Sequence, residues 1–409
     1  MTGRPNFDLR CSGCGKEFPF GTYVCPDGDG VLQAEYDLPK EVTREELRDR
    51  SIRGIWQFSR FLPNFPVTTC GEGNTPTLPS KTMGKELGID LYFKDEGRNP
   101  TGSFKDRAAA VLLSAERELG HSECATATSG NAGGALALYS RIAGLVCYIF
   151  VYEPTREKYL HMKSFGLPML VVESEVESAM TFLTEEACEK FDWARLTTMA
   201  SANPFNIEGY KTLAYEIVAD GYNPDVVVSP MGSGTLVLGI CKGFRELLDM
   251  NLISTAPRVV GVQPAQVNPI AHAYENNLTF VEPVSSGKTM ASGLVMDNPG
   301  ICGAEALRAV LATSGGVVSV TEEEILSTTM ALPIQEGLFA EPSGAASVAG
   351  VRVARDRGMI SEGEQVICVN SASGFKDLSV FGEDREAKNV HRIPPKIEAV
   401  AEVLQRQAS

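Results

Sequence analysis

The chain has 409 residues, 43% apolar and 22% charged, enough to bury more than one core while keeping the surface wetted, and a length prior of about 100 to 200 residues per domain suggests two or three domains. Its formal charge of -15, from 37 basic against 52 acidic residues, repels nucleic acid and anionic membrane surfaces and speaks against either as a partner. The opening run "MTGRPNFDLRCSGCGKE" lacks the apolar core of a signal peptide and no stretch of about 18 apolar residues occurs, so a cytoplasmic protein is expected.

Residues 1–45 form a cysteine-bearing extension, "CSGCGKEFPFGTYVCPDGDG", with Cys11, Cys14 and Cys25. A ribbon-type zinc site closes a tetrahedral shell with four ligands, usually two C-x-x-C knuckles. The second knuckle offers Cys25 and then Asp27, so two readings stand: Asp27 adds an oxygen ligand, or the loop holds no metal. The other seven cysteines are scattered, which fits reduced interior thiols rather than a disulfide framework.

From about Glu45 short β-branched runs alternate with helical segments. "ECATATS", "LVCYIFVYE", "PMLVVES" and "ARLTTMA" read as strands, separated by "NAGGALALYSRIAG", "TREKYLHMKSFG" and "EVESAMTFLTEEACEKF", whose apolar residues recur at helical spacing. A second series has "DVVVSPM", "RVVGVQP" and "EQVICVN" as strands among longer helices. Such alternation predicts an α/β protein with open, mainly parallel sheets covered on both faces, and ligands in the crevice at the carboxyl ends of the strands. The expected division is 46–200 for a first α/β domain and 201–409 for a second, with the smaller domain free to be discontinuous. The run from Glu282 reads as a loop, and "EAVAEVLQRQAS" as an exposed helical tail.

Two strand ends carry glycine-rich turns that open helices. Ser129-Gly130-Asn131-Ala132-Gly133-Gly134 follows "ECATAT", and Gly232-Ser233-Gly234-Thr235 follows "DVVVSPM". Glycines let the backbone turn sharply and present N–H groups at a helix start, where the dipole favours anions. Gly and Ser also merely punctuate α/β connections, so neither turn is decisive alone. A dinucleotide fingerprint starting at Gly232 fails at Val237, and no Walker phosphate loop occurs. The only histidines, His121, His161, His272 and His391, lie outside these turns, which argues against imidazole-activated serine or cysteine nucleophiles. Chemistry without histidine or a catalytic metal points to an organic cofactor.

Lys105, in "NPTGSFKDRAAAVLL", stands between a turn and an apolar helix. A lysine in a helix's first turn is ordinarily a solvated charge. In a desolvated pocket beside Phe104 and Ala108, however, its pKa would fall and it could form a Schiff base with an aldehyde cofactor.

Seven motifs decide between these readings: "GEGNTP" (71–76), "KDEGRNPTGSFKDR" (94–107), "TSGNAGGALALYSRIAG" (128–144), "NPFNIEGYKTLAYEI" (203–217), "MGSGT" (231–235), "EPSGAA" (341–346) and "SASGFKD" (371–377). In this order they resemble threonine synthase and its fold-type II pyridoxal phosphate relatives, the tryptophan synthase beta superfamily, over roughly Thr68 to Leu378. The resemblance implies that Lys105 holds pyridoxal 5'-phosphate and shuttles protons, that Asn131 meets the phenolic oxygen, and that the Gly232, Ser233, Gly234 and Thr235 turn cradles the phosphate. It also implies that Ser371 faces the pyridine nitrogen and that Thr128, Ser129 and Ala132 receive the substrate carboxylate, with Asn206 and Lys211 as further substrate contacts. Implied too are a homodimer, an amino-acid substrate and elimination or replacement at its β or γ carbon, as in O-phosphohomoserine plus water giving threonine and phosphate.

Two departures qualify the substrate. The family's phosphate-binding arginine in "RLEGQKT" corresponds to Asn206 in "NIEGYKT", and an amide does not replace a bidentate guanidinium. The histidine of "TGHGLKD" corresponds to Ser373. Arg98 or Arg107 could supply charge instead, or be ordinary surface residues. The rivals are a serine/threonine dehydratase, a β-replacement synthase and, more distantly, a non-catalytic binding protein.

Overall fold

The computed structural model describes residues 5–28, 30–152, 154–174, 178–285, 287–381 and 393–408. Three sheets organise it. Residues Asp8–Cys11, Glu17–Phe18 and Leu32–Glu35 form a small antiparallel sheet. A parallel four-stranded sheet runs Met169–Val171, Val146–Val151, Glu123–Ala127, Ala194–Arg195 across its width. A six-stranded sheet runs Gly316–Val320, Arg258–Pro264, Val226–Pro230, Gln365–Asn370, Asp90–Asp95, Thr77–Pro79, parallel except for its last edge strand.

The strands predicted from β-branched runs are all present, and in the two large sheets Thr77–Pro79, Asp90–Asp95 and Gly316–Val320 are additions. A boundary near residue 200 does not separate the two large sheets. Asp90–Asp95 pairs in register with Gln365–Asn370, so the segment 46–200 feeds both. The sequence "DLYFKD" hides this strand because its ends are charged; inside it, Lys94 is wholly buried and satisfied by Glu216.

Side-chain alternation explains why the central strands are continuously apolar. Val226, Val228, Val260, Val262, Val366 and Cys368 face one core, against Ala345, Val348 and Val351 of the helix Pro342–Asp356. Val227, Val259, Val317, Ile367 and Val369 face the other, which includes the helices Phe205–Ala219 and Thr235–Asp249. With both faces covered, a polar position at either phase would cost desolvation, so the period-2 signal disappears.

Helix Phe205–Ala219 is buried along nearly its whole length because it lies between other helices. Gly209 permits this: a Cβ there would stand 2.3 Å from the Arg107 carbonyl oxygen. Residues 398–408 of the predicted tail lie in the helix Ile397–Ala408, with Ile397 and Leu404 exposed; residue 409 lies outside the described residues. Among the described residues, no helix is long and apolar enough to cross a membrane.

Candidate active site

Lys105 is the first residue of the helix Lys105–Leu119. The preceding turn is clasped by Asp106, whose buried carboxylate accepts from the Thr101 amide at 2.7 Å and its hydroxyl at 2.6 Å. Gly102, at φ +81, turns the chain back. The Phe104 amide then donates to the Ser371 carbonyl at 3.0 Å, and the Ser373 amide to the Gly102 carbonyl at 2.9 Å. This short antiparallel contact brings two distant motifs together, so Lys105 and Ser371 share a cavity wall.

The cavity, of about 890 Å³, opens where strands of both large sheets end. Ala127–Ala132 line it after the strand Glu123–Ala127, Gly232–Leu236 after Val226–Pro230, and Ser371 after Gln365–Asn370. Lys105, Thr128, Ser129, Asn131, Ala132, Gly232, Ser233, Gly234, Thr235 and Ser371 therefore all meet there. Among the described residues no histidine lines it.

Burial lowers the Lys105 ammonium to a pKa of about 8, with Cys302 and Glu341 opposing the shift. Among the described residues no carboxylate pairs with it. Its Nζ instead stands 4.7 Å from the centre of the Phe104 ring and 5.9 Å from that of Tyr210.

Opposite, Asn131 Nδ2 donates to Glu341 Oε1 at 2.8 Å, while Asn131 Oδ1 and Glu341 Oε2 are buried without hydrogen-bond partners. Burial raises the Glu341 carboxyl above its usual range, and Lys158 and Lys376 oppose this. Lys158 Nζ lies 3.9 Å from Glu341 Oε2 and donates to Ser292 Oγ at 2.9 Å. Two orphaned oxygens beside a large cavity are the mark of a polar ligand site.

The turn at 232–235 supplies an anion cradle. Gly234 has φ +92, and a Cβ there would lie 2.3 Å from the Ala306 Cβ, so only glycine fits. Thr235 begins the helix Thr235–Asp249, and its hydroxyl lies 3.0 Å from Ser233 Oγ and accepts from the Ala200 amide at 3.1 Å. Backbone amides, two hydroxyls and a positive helix end suit a phosphate. With a lysine in the opposite wall, the residues present fit pyridoxal phosphate.

Two expected substrate contacts are not on this wall. Asn206 is buried at the start of the helix Phe205–Ala219, and its Nδ2 donates to the Thr197 carbonyl at 2.8 Å and the Asn203 carbonyl at 3.0 Å. It braces the cavity rim from behind. Lys211 lies wholly buried between Glu208, at 2.7 Å, and Glu246, at 3.0 Å, with its Nζ 4.0 Å from the Tyr36 ring centre. Helical periodicity turns both inward, a fact that motif matching does not register. Arg107 is likewise no surface residue: it is fully buried and paired with Glu96 and Glu216. Arg98 is exposed and pairs with Asp95, and Ser373 Oγ caps the Phe375 amide.

One arm of the cavity was not foreseen. Thr181 and Thr184 from the helix Ser178–Phe191, with Arg195, Thr197 and Thr198, make a hydroxyl-rich wall around the only lining cation besides Lys105 among the described residues. Arg195 pairs with Glu185 and keeps 38% of its side chain exposed. The available signal was weak: "RLTT" stands at the carboxyl end of a strand, where α/β folds place ligands.

The sequence profile of the pyridoxal-phosphate dependent enzyme family matches residues 68–372, and the chain belongs to that family. It is a fold-type II enzyme by architecture. A threonine synthase of Methanocaldococcus jannaschii is 33% identical over 97% of this chain and 98% of its own, and one of Methanosarcina acetivorans is 31% identical over 97% and 98%. A threonine synthase of Halalkalibacterium halodurans is 34% identical over 80% and 90%. Among solved structures, the processed form of threonine deaminase isoform 2 from Solanum lycopersicum superposes with TM-score 0.65 at 20% identity, covering 76% of this chain and 87% of its own. Maize serine racemase gives 0.65 at 19%, covering 82% and 94%. The chain is thus a threonine synthase-like, pyridoxal phosphate-dependent lyase.

Proposed function

We propose that this enzyme converts O-phosphohomoserine and water to threonine and phosphate. The observation that carries the reading is the pairing of a desolvated Lys105 with a phosphate-ready turn across one cavity, in a chain whose full-length relatives are threonine synthases. Bound pyridoxal phosphate supplies an electron sink for the carbanion left when the substrate loses its α proton.

The chain's own residues do the rest. Lys105 would hold the cofactor and, when free, would take and return protons; a pKa of about 8 suits an amine that must do both near neutrality. The helix start at 128–132 receives the substrate carboxylate. Ser371, which lines the cavity, would offer a hydroxyl to the ring nitrogen; a hydroxyl would not hold that nitrogen protonated as a carboxylate would, so more proton traffic would fall to Lys105. Asn131, whose Nδ2 donates to Glu341, would meet the cofactor's phenolic oxygen from the same wall. Arg195, with the hydroxyls of Thr181, Thr197 and Thr198, takes the γ-phosphate in place of the family's missing arginine.

A second reading, elimination or β-replacement on another amino acid, is favoured by one observation: Asn206 neither carries charge nor reaches the cavity. The test gives the cofactor-loaded protein O-phospho-L-homoserine and follows phosphate and threonine together. Equal release of both at enzymatic rates supports threonine synthesis. If neither appears while the visible absorption of the lysine-bound cofactor is intact, the first reading fails, and serine, threonine and O-phosphoserine with candidate nucleophiles become the panel.

A further inference from the structure

We propose that Cys11, Cys14 and Cys25 bind one zinc-class ion that braces the cofactor-phosphate turn from the far side of the fold. The three sulfurs lie within 4.8 Å of one another, with Cys11 and Cys25 buried, and no disulfide joins any of the ten cysteines. Two sulfurs each about 2.3 Å from one tetrahedral ion stand about 3.8 Å apart. Cys14 and Cys25 are at 3.8 Å, far beyond a disulfide bond and on the edge length of a zinc-thiolate tetrahedron.

The backbone is arranged for this. The strand Asp8–Cys11 pairs Cys11 with Leu32, and Gly15, at φ +71, closes the first knuckle with its amide on the Cys11 carbonyl at 3.0 Å. The Gly13 and Cys14 amides point at the Cys11 sulfur. Asp27, one of the two readings for the fourth position, is spent on Lys16 at 2.7 Å. Among the described residues no further His, Cys, Asp or Glu joins the cluster, so water completes the shell. Binding converts three thiols to thiolates and releases three protons to solvent. The ion and three thiolates carry a net charge of about −1, left to solvent because the nearby Lys16 already pairs with Asp27.

The knuckle is wired to the active site. Ser12, between two of the ligands, donates to Glu305 Oε1 at 2.7 Å and accepts from the Val31 amide at 3.0 Å. Val31 is fully buried in a cluster with Ala200, Leu238, Cys302 and Ala306. Ala200 and Cys302 both contact the Thr235 hydroxyl of the phosphate turn. An ion that fixes Ser12 and Val31 therefore fixes the wall behind the cradle, whatever the substrate is.

Metal analysis of the chain purified under reducing conditions is expected to give about one zinc per chain, and cobalt exchange to give intense sulfur-to-cobalt charge transfer. The Cys14→Ser, Cys25→Ser double variant should lose both signals. No retained zinc together with no cobalt–thiolate band in the wild-type chain overturns the site, as does zinc unchanged in the double variant. Because the variant could misfold, the bracing is read on wild type: chelator with reductant should weaken pyridoxal phosphate retention several-fold, and zinc should restore it. Unchanged retention after complete metal removal overturns the bracing.

Discussion

The cavity and the charge cluster behind helix Phe205–Ala219 treat the same side chain in opposite ways. Both bury a lysine. Lys211 has two carboxylates within 3.0 Å, and Lys242 joins Glu208 to make a four-charge group, two of each sign, that Tyr36 and Tyr215 cap. Burial alone would raise the Glu208 carboxyl, but Lys211 and Lys242 hold it below its ordinary value. Lys105 has only ring faces and a distant carboxylate, so its ammonium is the poorly stabilised form. Compensated burial fixes structure, whereas uncompensated burial makes a reactive amine.

The largest expected effect is catalytic. Lys105→Ala should lose the lysine-linked cofactor absorption and cut turnover by about 1,000-fold or more, since it removes the one amine among the described residues of the wall that can both hold the cofactor and move the α proton. Stopped assays and a visible spectrum of the same preparation check it. Lys211→Met should do the reverse. Leaving Glu208 and Glu246 with one ammonium should lower stability by about 3–5 kcal/mol, while the absorption of the folded fraction persists.

The sharper test reverses a sign. In cofactor-free protein Lys105 has a folded pKa of about 8 against an unfolded value near 10.4, so between these the unfolded chain binds more protons. Stability from this group is therefore lowest below pH 8 and recovers as pH rises toward about 10.4. Lys105→Met should stabilise the cofactor-free chain by up to about 3 kcal/mol at pH 7, with the gain vanishing above about pH 10.4. Urea midpoints of the two proteins at several pH values check it, and an equal gain at all pH values would mean packing, not desolvated charge.

Most of the architecture was legible because alternating strands and helices leave a periodic record, and the cofactor wall because its turns are contiguous in sequence. What was hidden shares one cause, pairing at long range. Lys94 disguises a central strand as a surface segment because Glu216, over a hundred residues away, neutralises it. Arg107 and Lys211 looked available for the same reason. Asn206 matched a binding position by alignment, yet only the packing of its helix tells which way its amide points. The arm around Arg195 comes from a helix and a strand end that meet only in space.

That arm gives the smallest effect and the finest discrimination. If Arg195 receives the leaving phosphate, Arg195→Gln removes a charge-assisted contact worth about 1.5–3 kcal/mol, so kcat/KM for O-phosphohomoserine should fall roughly 10- to 100-fold. An amino acid with an uncharged leaving group never meets that guanidinium, so its slow side reaction should be unaffected. A matching loss on both substrates would instead make Arg195 a prop for the rim through Glu185, and Glu185→Gln would then reproduce it. Only an effect confined to the anionic substrate assigns the arginine to phosphate, because Glu185→Gln frees the guanidinium and should leave that substrate bound as well or better.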